Sequence, residues 1–219
     1  MFNKLFLLFL IPIFSIKGFP QKVDSIDFDI RRFTRFPYNN LDLFTPLIKK
    51  IQPSHSYKYW EFIFNSNFEK RGKTIVCVGD SVTYAKFASK YSSKNGFFDF
   101  CHPIICFSYI VAIKDKNRVD IINSKEEFQS FIGKINNIEE VFYLSNLLDF
   151  NFVTDTLVTG SYRKKGSKYL LYLNKNVYNV ESIFPVNRKS VKAIIKKSGE
   201  FLLVDEKIYC EGSNVMEEK

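Results

Sequence analysis

Two helix starts stand back to back near the middle of the chain, and they constrain the fold more than any other feature. Ser124 precedes Glu127 by three residues, and Asn137 precedes Glu140 by the same spacing. In each pair the leading side chain can accept the glutamate's backbone N–H, while the glutamate reaches back to the leading residue's own N–H. Donors that a helix start leaves without partners are thereby satisfied in pairs. Apolar residues follow at helical spacing: Phe128, Phe131, Ile132 and Ile135 after the first start, and Val141, Leu144 and Leu148 after the second. Both first turns also carry acids, where the helix dipole favours them.

On either side of this pair the chain is β-type. Thr74–Val78 is a short apolar run ending at Gly79-Asp80 and reads as a buried strand. Tyr84, Phe87, Ala88 and Tyr91 then form a helical stripe that Asn95-Gly96 closes. Ile104–Ile113 is the strongest strand, returned by Asp115-Lys116-Asn117 into Val119–Ile122 as a hairpin. Beyond the helices, Tyr169–Leu173 and Val177–Val180 flank a turn at Asn174-Lys175-Asn176. Val191, Ala193 and Ile195 alternate with Lys192 and Lys196, Ser198-Gly199 turns the chain into Phe201–Val204, and Lys207–Cys210 is a last strand. Tyr57–Phe68 is dense in aromatics and fits helix or strand equally, with core packing as its role. Strands, then helices, then strands predict an α+β fold: one domain, antiparallel and β-rich, with a pair of helices near the middle.

The first residues carry an address. Lys4, the apolar run Leu5–Ile16 and the small Gly18 have the order of a secretory signal peptide, and the run is too short to span a bilayer. The expected organisation is a signal at residues 1–18 and a single domain at 19–219, opening with an irregular arm over 19–53. The location is then secreted or periplasmic. An even cysteine count in an exported chain favours two disulfides, with three possible pairings. Cys101 and Cys106 flank His-Pro-Ile-Ile, a loop they can close if their α-carbons come within about 7 Å; Cys77 would then pair with Cys210. Cys101, His102 and Cys106 also offer metal-ligating atoms, but adjacent residues rarely share one tetrahedral ion and the C-x₂-C spacing is missing. No metal and no cofactor is expected.

The net charge is +9, with clusters at Arg31, Arg32, Arg35 and at Arg163, Lys164, Lys165, Lys168. Such clusters are either a solvated face or a site for anionic components of a cell envelope or extracellular matrix. Ser161–Tyr169 (SYRKKGSKY) interleaves basic and aromatic residues as a stacking groove does, yet no nucleic-acid-binding motif accompanies it and no nucleic-acid partner is expected.

Ile75–Tyr84 (IVCVGDSVTY) resembles the first block of the SGNH (GDSL-like) hydrolases, in which a strand delivers Gly-Asp-Ser to a helix start. The resemblance implies that Ser81 is a nucleophile. Asp99-Phe100-Cys101-His102 matches the family's D-x-x-H block, which makes His102 the base and Asp99 the group that orients it. In the family that block lies near the chain's end, whereas here it follows the serine by about twenty residues. The G-x-N-D block that builds the oxyanion hole is missing between them. The plain alternative is a tight turn with Asp80 or Ser81 capping the next helix.

A second resemblance spans about Gly96 to Cys210. Phe98, Phe100, Cys101, His102, Pro103, Cys106 and Tyr109–Val111, then Phe131–Ile135, Asn137, Glu139, Glu140 and finally Ile208–Cys210, form a pattern similar to uncharacterised exported proteins of Bacteroidetes-type bacteria. It implies export and a disulfide-bearing domain, with no catalytic role attached. The resulting expectation is an exported binding or envelope-associated module, with a small ester hydrolase using Ser81 as the alternative.

Overall fold

Side chains on a strand alternate between two faces, and the aromatic-dense segment around Trp60 fills both. It is therefore a strand, buried on each side, and its lack of polar alternation is what hides its period. The computed structural model describes residues 28–66, 69–98, 106–115, 118–152, 157, 159–178 and 187–211, without the side chains of 41 and 208–211. Strand β1 (Thr34–Arg35) lies in an arm otherwise built of single 3-10 turns at Ile30–Arg32, Asn40–Phe44 and Pro46–Lys50. Next come β2 (Tyr59–Ser66), β3 (Lys73–Gly79), α1 (Ser81–Ala88), β4 (Cys106–Asp115) and β5 (Arg118–Ile122). The helix pair α2 (Lys125–Ile132) and α3 (Ile138–Leu147) precedes β6 (Ser161–Lys165), β7 (Lys168–Val177), β8 (Asn187–Lys196) and β9 (Phe201–Glu211).

The strands form two antiparallel sheets, ordered β3-β2-β4-β5 and β1-β6-β7-β8-β9. Trp60 and Phe62 of β2 and Ile110 and Ala112 of β4 share one core with Phe128 and Phe131 of α2, Val141 and Leu144 of α3, and Leu171 and Val191 of the second sheet. Both sheets and the helix pair thus belong to one α+β domain. The opposite face of β2 and β4, with Tyr59, Ile63, Tyr109 and Val111, packs under α1 through Tyr84, Phe87 and Ala88. The outer face of the second sheet is covered around Leu170 and Tyr172 by Phe28 and Phe33 of the arm.

Both capping boxes form. Ser124 Oγ accepts from Glu127 N at 3.2 Å and Asn137 Oδ1 from Glu140 N at 2.8 Å, with each glutamate returning the bond. Glu140 does more than cap. Its fully buried carboxylate also accepts the backbone N–H of Gln52, at 2.8 Å, and that of Asn136, at 2.5 Å. The arm is pinned to α3 at that point. Beside it, Glu139 Oε1 accepts from Lys50 Nζ at 2.7 Å and from Tyr38 Oη at 2.6 Å. Burial works to raise the Glu139 carboxyl, but the bonds from Lys50 and Tyr38 outweigh it and hold the group below the usual carboxylate range.

Four expectations need correction. Asn174-Lys175-Asn176 is not a turn: β7 runs through it, because Asn174 is held by Ser190 of β8 on one side and by a bridge to Asn151 on the other. Ladder pairing on both edges overrides the local turn preference of asparagine. α1 starts at its Asp80 cap and ends at Ala88, well short of Asn95-Gly96. The two last strands are one, β9, with a register shift between Lys192 and Ala193 beside the break the sequence suggests and a second between Arg188 and Lys189. Finally, Cys77 is a free, exposed thiol on β3, so the pairing of Cys77 with Cys210 is not formed. Facing Glu61 across the ladder, Cys77 stands on an edge strand of the first sheet. Cys210 lies in β9, at the edge of the second.

Candidate functional site

Ser81 stands where the strand–turn–helix reading puts it, exposed at the first position of α1. Asp80 is the cap: its Oδ1 accepts from Thr83 N at 3.0 Å. The Thr83 side-chain hydroxyl first, and its backbone N–H second, hold the Asp80 carboxyl below its usual range by hydrogen bonding. Gly79 makes the turn possible, with φ +98° and its α-carbon so close to the carbonyl of Lys58 that a side chain would collide with it. The turn is thus fully explained as a helix cap. Asp99 and His102, the other members of the implied triad, lie outside the described residues. His55 stands on the polar loop before β2, edge-on to Tyr57 at 6.5 Å.

Cys106 opens β4 and is disulfide-bonded, with a partner outside the described side chains; Cys101 too lies outside them. A sulfur held in a disulfide is no thiolate ligand, which removes Cys106 from the Cys101, His102, Cys106 metal set. Among the described residues no group of three or more His, Cys, Asp or Glu side chains could hold a metal ion, and no helix is long and apolar enough to cross a membrane.

Beneath α1 lies a polar cluster that sequence reading does not reach. Glu61, almost wholly buried on β2, is ion-paired with Arg71 and accepts from Thr74 Oγ1 and Tyr59 Oη, each at 3.2 Å. Burial first, then the Glu61 charge, push the Tyr59 hydroxyl well above its usual range. Every oxygen of Glu61 is satisfied, so the cluster reads as a closed structural pair. Its only sequence signal is a glutamate inside an aromatic strand.

The open chemistry lies where three turns pack on one another. The α2–α3 turn meets the β8–β9 turn through Ile135 N to Lys197 O at 2.8 Å, and Lys197 N reaches Ser167 O of the β6–β7 turn at 2.8 Å. Gly133 and Gly199 allow this approach. Both have positive φ, and a Cβ on Gly199 would sit 3.1 Å from Gly133 O. The convergence gathers Lys134, Lys164, Lys165, Lys168 and Lys197, all exposed. None has an acidic partner among the described residues, although Lys196, beside them, is paired with Glu200 at 2.9 Å. Lys164 and Lys197 line a hollow of about 250 Å³ with Asn136 and Ser167, and Tyr169 closes its wall. Lys164 Nζ lies 5.5 Å from the Tyr169 ring centroid.

The basic cluster of the sequence supplies three of these lysines. Lys134 and Lys197 come from turns remote in sequence and are missed by any local reading. Arg163, in the same cluster, lies opposite Leu170 on the other face of its strand, a face that Lys165 and its cross-strand partner Lys168 share, while Lys164 is paired with Tyr169 on the hollow's side. Comparison with protein-family models, with curated proteins and with solved structures gives no match for this chain.

Proposed function

We propose that the protein is an exported binding module that engages an anionic component of a cell envelope or extracellular matrix through its lysine corner. One observation carries the reading: five exposed lysines from three packed turns come together without acidic partners among the described residues, and two of them, Lys164 and Lys197, line a hollow. Like charges gathered without neutralisation cost self-repulsion, which an anionic ligand relieves. Export rests on the signal-like residues 1–18 and on the similarity to exported proteins. The disulfide at Cys106 fits that compartment, and Cys101, across the short His-Pro-Ile-Ile loop, is its proposed partner.

The test is binding of the full chain to dextran sulfate and to vesicles containing phosphatidylglycerol, each as a function of salt. Replacing the five lysines by serine is expected to weaken binding more than tenfold at low salt and to flatten the salt dependence. Replacing Lys50, Lys125 and Lys189, which are acid-paired, is expected to leave it nearly unchanged. Equal loss from both sets would reduce the corner to a share of general basicity. Intact mass and thiol counting on exported protein test the address: cleavage near Gly18, with Cys77 reactive, is expected. For the hydrolase alternative, turnover of a p-nitrophenyl ester that Ser81→Ala abolishes would displace the binding reading.

A further inference from the structure

The lysine corner is one end of a longer depression. The hollow at Lys164 and Lys197 shares Asn136 with a larger one of about 710 Å³ that runs along α2. This in turn shares Glu126 and Ser130 with a third, of about 500 Å³, over Tyr57, Lys114 and Asp120. The joined trench crosses the seam between the two sheets. Its chemistry changes along its length. The middle is mainly hydrogen-bonding, with the Gln52, Gln129 and Asn136 amides and the Ser198 hydroxyl exposed beside Lys134 and Glu126. The far end is acidic, with Glu126 and Glu127 exposed on α2, while Asp120 is held by Lys114 at 2.8 Å and by the Tyr57 hydroxyl at 3.1 Å.

We propose that this trench binds an anionic glycan, a polysaccharide bearing carboxylate or sulfate groups, with a charged group at Lys164 and Lys197 and neutral hydroxyl-rich rings along Gln129, Ser198 and Glu126. The inference rests on the lysine corner being the anion site. A concave trench fits a chain, whereas a flat bilayer meets only its rim. Uniform polyanions such as polyphosphate or nucleic acid place negative charge against Glu126 and Glu127 and are repelled there. A sugar ring presents hydroxyl donors to the same carboxylates, and the amides, which donate and accept side by side, match neighbouring hydroxyls. Polypeptides anchor by apolar side chains in apolar pockets, and the middle of the trench presents amides and hydroxyls instead. The half-buried Tyr57, tilted against Phe131 at 5.6 Å and with Lys114 Nζ 5.6 Å from its ring centroid, lines the acidic end.

Calorimetry on the full chain with four probes tests this: an oligogalacturonate, a sulfated dextran oligomer, a neutral dextran oligomer and linear polyphosphate. The first two separate carboxylate from sulfate as the anionic group. At least one is expected to bind, with the neutral oligomer and polyphosphate weaker by about tenfold. Lys164→Ser with Lys197→Ser is expected to cost about tenfold. Gln129→Ala and Glu126→Ala should each weaken the charged glycan about threefold, whereas Glu126→Ala strengthens polyphosphate by removing repulsion. Unchanged melting temperatures show that these exposed variants still fold. If polyphosphate matches the charged glycans and Glu126→Ala tightens every probe, the glycan inference fails while the lysine corner stands. If no probe binds in a lysine-dependent way, both readings fall.

Discussion

The arm–α3 seam and the turn corner treat the same kind of charge in opposite ways. In the seam, Lys50 is matched to Glu139 and Tyr38, and Glu140 takes backbone donors from Gln52, Asn136 and Asn137. At the corner, five lysines crowd three turns with no acid paired to them among the described residues. Folding uses the first set and has no visible use for the second. Single exposed lysines without acidic partners, such as Lys58, Lys73 and Lys86, occur elsewhere among the described residues, but the corner brings five together on three packed turns.

The comparison breaks most severely if the core beneath both regions is emptied. Phe128 is fully buried, stacked on Phe97 at 4.4 Å and edge-on to Phe98 at 5.5 Å. Phe128→Ala should cost about 3–5 kcal/mol in urea unfolding, with loss of corner binding following only from loss of the fold. Next is Glu140→Ala. It removes a helix cap and leaves the part-buried backbone donors of Gln52 and Asn136 without this acceptor, for an expected loss of about 2 kcal/mol. Glu140→Gln keeps one acceptor and should recover roughly half of that loss. Recovery by Gln separates hydrogen bonding from charge as the work of this side chain.

Acid sharpens the contrast by titration. Glu139 is held below its ordinary value in the fold, so its contribution to stability is complete above the unfolded-state value of about 4.3 and is lost as pH falls through the lower folded value. Asp80, whose carboxyl is likewise depressed at the α1 cap, adds to the same window. Unfolding midpoints followed from pH 6 downward should fall, and Glu139→Gln should flatten part of the slope. The lysine-corner variants should run parallel to the parent through this range, since none of the five is paired with an acid among the described residues. A corner variant with an altered acid slope would mean that an acid is coupled to those lysines after all.

How much of this was legible depends on how local each signal is. The helices α2 and α3 were readable because a capping box is written within four residues and the structure satisfies it at both Ser124 and Asn137. Asn174-Lys175-Asn176 misled because asparagine's local preference lost to ladder partners at Ser190 and Asn151, both remote in sequence. The segment around Trp60 stayed undecided because burial on both faces erases alternation. At the site, Lys164, Lys165 and Lys168 were visible as a cluster, but Lys134 and Lys197 join them only through the packing of turns. The Gly-Asp-Ser turn was visible as geometry, and Asp80 gives it a sufficient structural reason.

The smallest expected effect is the one that tests the contrast itself. Replacing Lys134, Lys164, Lys165, Lys168 and Lys197 by serine should change unfolding free energy by no more than about 0.5 kcal/mol, as for exposed side chains outside any network. The sign should depend on salt. At low ionic strength the variant should be slightly the more stable, because the gathered lysines repel one another, and by 1 M salt, where screening acts within about 3 Å, the difference should vanish. Lys50→Ser, a single change in the seam, should cost more than all five together, since it leaves the largely buried Glu139 with one partner fewer. Urea titrations of both variants at two salt concentrations decide it. A loss above about 1 kcal/mol from the corner set would show that those lysines brace the turns, and the unmatched charge would then have a structural use instead of a ligand.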